Sequence, residues 1–384
     1  MTLAVTLMVR DEADVVQQWL DHHVAQGVDV FVITDNGSVD GTTEVLTAFA
    51  AREDVVVDLR HDPVHRKQQS AVVTQMARDA YTVHHADWVV NADADEFLLP
   101  KDRSATLASV FAQLDPTVNA FVVPVVNMVG PLGESGAGLE RLVWRDERSP
   151  EELRAVGLFA HPSGNAIHVG DAEVAVVQGN HLVTLPAGEA PPEELALEVL
   201  HFPWRSWKQY EHRVRIAGEA YTANPDHHPS PNHHGMRDYR RLQEGVLKAY
   251  FAVRHVSDEE AAAGHFRRDD SLVELFHAHG LPLSGPDEER STPADVAAQL
   301  SRTGRALVAR DVRVEDTDRA LAAAQENVRL LEATVQQQHR RIQDVEALAN
   351  QRERDLTAMR ARRAVRWADK AGTAVRSARQ RLGR

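Results

Sequence analysis

Along the first hundred residues the apolar positions switch between two periods. Leu3 to Val9 is a short apolar run that reads as a strand, and from Glu12 to Gln26 the residues Val15, Val16, Trp19, Leu20 and Val24 fall on one helical face. Val28 to Thr34 is a second apolar run. It closes in DNGSVDGT, where Asn36-Gly37 and Asp40-Gly41 mark tight turns and Asp40 can cap the next helix. A third strand near Val55 to Leu59, a helix over Arg66 to His84 and a fourth strand over Trp88 to Asn91 follow. Strands alternating with helices across short punctuation predict an α/β fold, with a mostly parallel sheet flanked by helices.

Beyond Pro100 the pattern loosens. It predicts a helix near Thr106 to Leu114 and strands near Ala120 to Val126 and Glu173 to Val177. The polar stretch LPLSGPDEERSTP, residues 281–293, is broken by Pro and Gly and reads as the start of a linker. From Ala306 to Lys370 the chain has neither Pro nor Gly. Steps of seven there give Leu321, Val328, Val335, Ile342, Ala349 and Leu356, with Ala324, Leu331, Gln338, Val345, Arg352 and Met359 as the companion row. That is a coiled-coil seam of about five heptads, in which Gln338 and Arg352 weaken the contact and can fix register or partner. The expected organisation is an α/β domain over 1–280, a linker over 281–305, a coiled-coil helix over 306–360 that makes a homo-oligomer, and a basic helical tail over 361–384.

Charge sharpens this division. The 384 residues carry a formal net charge of −14. From Arg360 onward nine basic residues against Asp369 alone give +8, which leaves −22 to the chain before it. Between the basic residues of the tail, Val365, Ala368, Ala371, Val375, Ala378 and Leu382 recur at helical steps, a cationic face suited to an anionic membrane surface. A body this acidic argues against nucleic acid as a partner. The absence of Cys excludes a disulfide scaffold, a Cys-ligated metal and thiol catalysis. The N-terminus lacks the basic start of a secretory signal, and no apolar run approaches the roughly 20 residues that span a bilayer. The expected location is cytoplasmic, either free, with the tail a solvated extension of the coil, or peripheral at the inner face of the cell membrane.

The acids collect where a doubly wound sheet binds ligands, beyond the carboxyl ends of its strands. Asp11 and Glu12 follow the first strand, Asp35 and Asp40 the second, and Asp93, Asp95 and Glu96 the fourth. One acid after a strand is an ordinary cap or turn. Three such strand ends brought together repel unless a cation or ligand offsets them. In NADADEF, residues 91–97, Asp93 and Asp95 are two apart and in extended geometry point the same way, so they can share Mn²⁺ or Mg²⁺ with substrate phosphates.

With these residues in view, the chain resembles the family 2 glycosyltransferases of GT-A fold. The likeness rests on MVRDEADVVQQWLDHHVAQGVDVFVITDNGSVDGT, a Gln in HRKQQSAV, ADWVVNADADEFL, and HFPWRS at 201–206. It is nearest to a bacterial subgroup with D-x-D-E-F and a downstream H-[YF]-P-x-R-S block, and Asp11 stands where that subgroup usually has Asn. The resemblance implies that Arg10, Glu12 and Asp35 line the nucleotide pocket, that Asp40 and Gln69 belong to the same region, and that Asp93 reaches the ribose or the metal. It implies Asp95 as principal metal ligand, His201 as a further one, and Arg205 and Ser206 as groups for phosphate oxygens.

The implied reaction moves a sugar from a nucleotide-sugar donor to a hydroxyl of a glycan or lipid-linked acceptor, with inversion. Its base is sought in Glu134, in the Gly-rich GPLGESGAG, with Asp171 and Glu198 as rivals. A nucleotide-sugar hydrolase or nucleotidyltransferase would use the same acids, and a further alternative is a non-catalytic coiled-coil scaffold with a degenerate sugar-nucleotide pocket. Twenty His include the pairs of PDHHPSPNHHG, residues 225–235, where His227, His228, His233 and His234 suit either a transition metal or a polar loop. His22 and His23 read as structural.

Overall fold

The run Leu3–Val9 forms β1, buried along nearly its whole length, as a central strand covered on both faces must be. The computed structural model describes residues 1–63, 69–177, 179–223 and 234–382. It divides into two compact units, residues 1–310 and 311–384.

In the first unit, β1 is followed by α1 (Val16–Ala25), β2 (Val30–Asp35), α2 (Thr42–Ala50), β3 (Val56–His61), α3 (Gln69–Thr82), β4 (Trp88–Ala92), β5 (Glu96–Pro100) and α4 (Leu107–Phe111). There follow β6 (Ala120–Val123), β7 (Val125–Val129), β8 (Gly133–Ser135), β9 (Trp144–Asp146), α5 (Pro150–Ala155), β10 (Asn165–Val169) and β11 (Leu197–His201). The remainder is α6 (Trp207–Ala223), α7 (His234–Gln243), α8 (Leu247–Ala252), α9 (Asp258–Ala263), β12 (Phe266–Arg268), α10 (Ser271–His279) and β13 (Arg290–Ser291).

The main sheet has the order β3-β2-β1-β4-β10-β6. Its first four strands are parallel, and β10 runs antiparallel between β4 and β6. Alternation along β1 divides the core. Leu3, Val5 and Leu7 join Trp19, Phe31 and Phe97 on one face, while Ala4 joins Met76, Ala77 and Val89 on the other. A second sheet, β12-β9-β7-β11-β5, sets β11 antiparallel to β5 and so brings His201 opposite Glu96.

Several local expectations change. The strand read over Ala120–Val126 is two strands in two sheets, divided at Pro124, which has no N–H for a ladder. Residues 173–177 form no strand and contribute one isolated pairing, Val176 with Val183. The stretch read as linker packs on the first unit. Leu283 is buried in the main core, Gln18 Nε2 donates to Ser284 O at 2.8 Å, and β13 pairs with β8.

The last helix, α11, spans Ala294–Leu382 and so begins inside residues 281–305. In the second unit it is the only element among the described residues, and every residue from Asp316 to Ala371 is exposed. Among the described residues no helix is long and apolar enough to cross a membrane.

Candidate functional site

The parallel register places Val9 beside Asp35 and Leu7 beside Ala92, so the loops after β1, β2 and β4 leave the sheet together. Side-chain oxygens fasten the first two of them. Gly41 is the N-cap of α2 in place of the expected Asp40, and from one residue earlier Asp40 Oδ1 accepts from the Thr42 N–H at 3.0 Å while Oδ2 takes the Ala13 N–H at 3.0 Å. Asp35 Oδ1 accepts from the Ser38 N–H at 3.0 Å and Oδ2 from the Thr43 hydroxyl at 2.6 Å. Burial alone would raise the Asp35 carboxyl, and these donors hold it low. Asp11 has a left-handed backbone, φ +54°; its Oδ1 accepts from the Val39 N–H at 2.7 Å and its Oδ2 from His212 Nε2 at 3.0 Å. Arg10 donates to Asn36 O at 2.7 Å. Arg10, Asp35 and Asp40 therefore build and brace the loop, and buried Asp35 spends its oxygens on the loop's own donors.

The third loop departs from the extended geometry assumed for NADADEF. β4 ends at Ala92, and a Glu96 N–H to Asp93 O bond of 3.1 Å closes residues 93–96 into a turn. The two aspartates consequently face different partners. Asp93 Oδ1 lies 3.4 Å from Gln69 Nε2 and 3.3 Å from Asn180 Nδ2. Asp95 faces His201 Nε2 at 3.6 Å and one guanidinium nitrogen each of Arg205 and Arg213 at 3.5 Å. Behind them Glu96 accepts from Asn165 Nδ2 at 2.7 Å.

The charges remain coupled. Burial and the Asp95 charge push Asp93 up to about 6, and burial with the Asp93 charge pushes Glu96 up to about 8. Against burial, His201, Arg205 and Arg213 hold Asp95 below the usual carboxylate range, and against burial the carboxylates hold His201 above the usual imidazole value.

The HFPWRS block behaves differently from its implied role. The Arg205 side chain has no exposed surface and is enclosed by Glu12, by Asp14 at 2.9 Å and by Phe202 O. A guanidinium so committed has no donor left for phosphate. Ser206 Oγ accepts from the Gln209 N–H at 3.3 Å and caps α6. Nearly two turns along α6, Arg213 is the more open of the two cations. Its side chain is 38% exposed and is steadied by Pro203 O at 2.7 Å. Sequence reading missed both Asp14 and Arg213: Asp14 stands inside MVRDEADVV but no role was implied for it, and Arg213 lies beyond HFPWRS.

The base candidates are tied elsewhere. Glu134 pairs with Lys248 and accepts from the Thr292 hydroxyl, each at 2.7 Å, and against burial these donors hold it low. Glu198 is chelated by Arg145 and also bonded by Arg103, while Asp171 turns back on the Glu173 N–H. His22 and His23 are buried and bond backbone carbonyls, Leu98 O and Trp19 O. His227, His228 and His233 lie outside the described residues.

Among the described residues no three His, Asp or Glu side chains stand together as a ready-made metal cage. Mg²⁺ and similar hard ions do not need one, since they commonly use one or two carboxylates together with waters and substrate phosphates. The local donor set fits such an ion. His201 Nδ1 bonds Asn127 Oδ1 at 2.9 Å, which leaves Nε2 directed to Asp95.

The fold and these residues define a class, an α/β protein with a carboxylate, imidazole and guanidinium cluster at the carboxyl edge of a parallel sheet. Residues 2–127 match the model of glycosyltransferase family 92. This segment, which holds the strand-end acids but not His201, Arg205 or Arg213, is glycosyltransferase-like; the matching model is that of family 92, where the motifs had suggested family 2. No curated protein matches the chain. Similar solved structures include an apo UDP-glucose pyrophosphorylase, 8% identical, covering 53% of this chain and 90% of that one with a TM-score of 0.25. Another is a mannose-1-phosphate geranyltransferase from Thermus thermophilus, 11% identical, covering 70% and 73% with a TM-score of 0.23. At these scores the strand order alone describes the fold.

Proposed function

We propose that this chain is a metal-dependent glycosyltransferase that moves a sugar, with inversion, from a nucleotide-sugar donor to a hydroxyl of a glycan or lipid-linked acceptor. The observation that carries the reading is the environment of Asp95: an imidazole and two guanidinium groups surround this carboxylate, which itself lies at a strand end within the segment matched by a glycosyltransferase model. Asp95 and His201 would hold Mn²⁺ or Mg²⁺. When bound, that ion offsets negative charge on the departing nucleoside diphosphate.

The chain's own groups do the rest. Arg213 offers an exposed guanidinium to the diphosphate oxygens. Asp93, held by Gln69 and Asn180, presents a carboxylate toward the ribose. Arg205 fixes Glu12 and Asp14 beneath them.

A panel of nucleotide sugars with Mn²⁺, read by thermal shift and then by sugar transfer, tests the proposal. One donor should raise the melting temperature in a Mn²⁺-dependent way. Asp95→Ala should lose both the shift and the transfer. Transfer at the wild-type rate by Asp95→Ala would sink the reading, and sugar release that needs no acceptor would make the protein a hydrolase instead.

A further inference from the structure

The second unit carries an unpartnered seam. Within α11 the large apolar members of the two heptad rows between Leu321 and Met359 are 51% to 66% exposed, although such residues normally seek burial. At the rise of an α-helix this seam is about 58 Å long. It has a definite end. The next positions in the same rows are Arg363, Arg366 and Lys370, which cannot continue an apolar contact.

We infer that the seam is covered by a second copy of this chain, in a parallel, in-register, two-stranded coiled coil over residues 321–359. The choice of partner follows from the side chains that flank the seam. In a parallel pair Arg341 of one copy meets Glu346 of the other, and Asp355 meets Arg360, each pairing occurring twice by symmetry. No like-charged pair arises at these positions. An antiparallel pair would instead set Glu332, Glu346 and Glu353, which share one flank, against their own kind.

The number of strands follows from the rows themselves. Val328, Val335 and Ile342 put β-branched side chains in the first row, the choice that favours two strands. Gln338 in the second row matches only its own counterpart, which penalises a shifted register, whereas Arg352 meets Arg352 of the second copy and costs stability there. The coil therefore stops where the basic segment starts. Two copies of that segment, each at +8 from Arg360 onward, emerge side by side.

The absence of Cys makes the test clean, because any introduced thiol is the only one in the chain. Light scattering on the full chain should give twice the chain mass. The double variant Val335→Asp, Ile342→Asp should give a monomer whose first unit melts at an unchanged temperature. Val328→Cys, placed off the centre of the seam, should form a covalent dimer on mild oxidation, and Arg340→Cys, on the outer face, should not. A monomeric full chain overturns the inference. So does a dimer that survives the double variant, or one in which Val328→Cys fails to cross-link.

Discussion

The floor of the strand-end cluster is built on Arg205 and its rim on Arg213, and the two guanidinium groups stand at equal distance, 3.5 Å, from the same oxygen of Asp95. Their surroundings differ. Arg205 is closed off from solvent and answers Glu12 and Asp14 as well as Asp95, so its charge is balanced by the protein itself. Arg213 reaches the same carboxylate from a half-exposed helix and has donors to spare. A cation beside a site carboxylate is thus not by itself a ligand group. What matters is how much of its hydrogen-bonding capacity the fold has already used.

The comparison is broken most severely at the floor. Arg205→Ala should destabilise the first unit by about 3–5 kcal/mol, because it strands buried carboxylates without their cation. Urea unfolding checks this, and a loss below about 1 kcal/mol would mean that Arg205 is not the fixture described. Arg213→Ala should leave that stability within about 0.5 kcal/mol of wild type. It should cost about 1.5–3 kcal/mol in donor binding, seen as a KM raised roughly tenfold to a hundredfold. A variant that instead melts as Arg205→Ala does would erase the distinction between rim and floor.

A third effect concerns acid. Burial lowers the His22 imidazole from 6.5 to about 4, and it stacks on Phe276 below Phe97. Between those values the unfolded chain binds the proton and the folded chain does not. The His22 contribution is therefore complete above pH 6.5 and is lost by about 1.4 kcal/mol for each unit of descent toward pH 4. Chemical-denaturation curves across that window should show the slope, and His22→Gln should remove its share of it, leaving the part due to His23, His168 and His255, which burial also lowers.

Much of the floor plan was legible because it is local. Leu3–Val9 is an unbroken apolar run, and Asn36-Gly37 and Asp40-Gly41 carry their turn chemistry in two or three residues. β10 and β11 escaped notice because NAIHV and LEVLH are short and mixed, and only pairing with β4 and β5 makes strands of them. The turn at Asp93–Glu96 was hidden for a related reason. A period-two argument holds only while the strand continues, and nothing in DADEF signals that it stops at Ala92. Arg205 read as a phosphate group because an arginine in a motif looks available. Its acids, Glu12 and Asp14, lie about 190 residues away in the chain, at separations of 193 and 191.

Asp11 is the departure from the subgroup's usual Asn, and its backbone explains why the exchange is possible. Asn and Asp are the side chains that most readily tolerate the left-handed conformation, and either offers an oxygen to the Val39 N–H. The added negative charge is met by His212 at 3.0 Å and by Arg10 at 3.6 Å. Positions 11 and 212 accordingly form one exchangeable unit: the redesign Asp11→Asn removes the charge that faces the His212 ring and leaves the first turns of α6, which also bear Arg213, tied to the loop through Gln209, whose Nε2 lies 3.3 Å from Glu12.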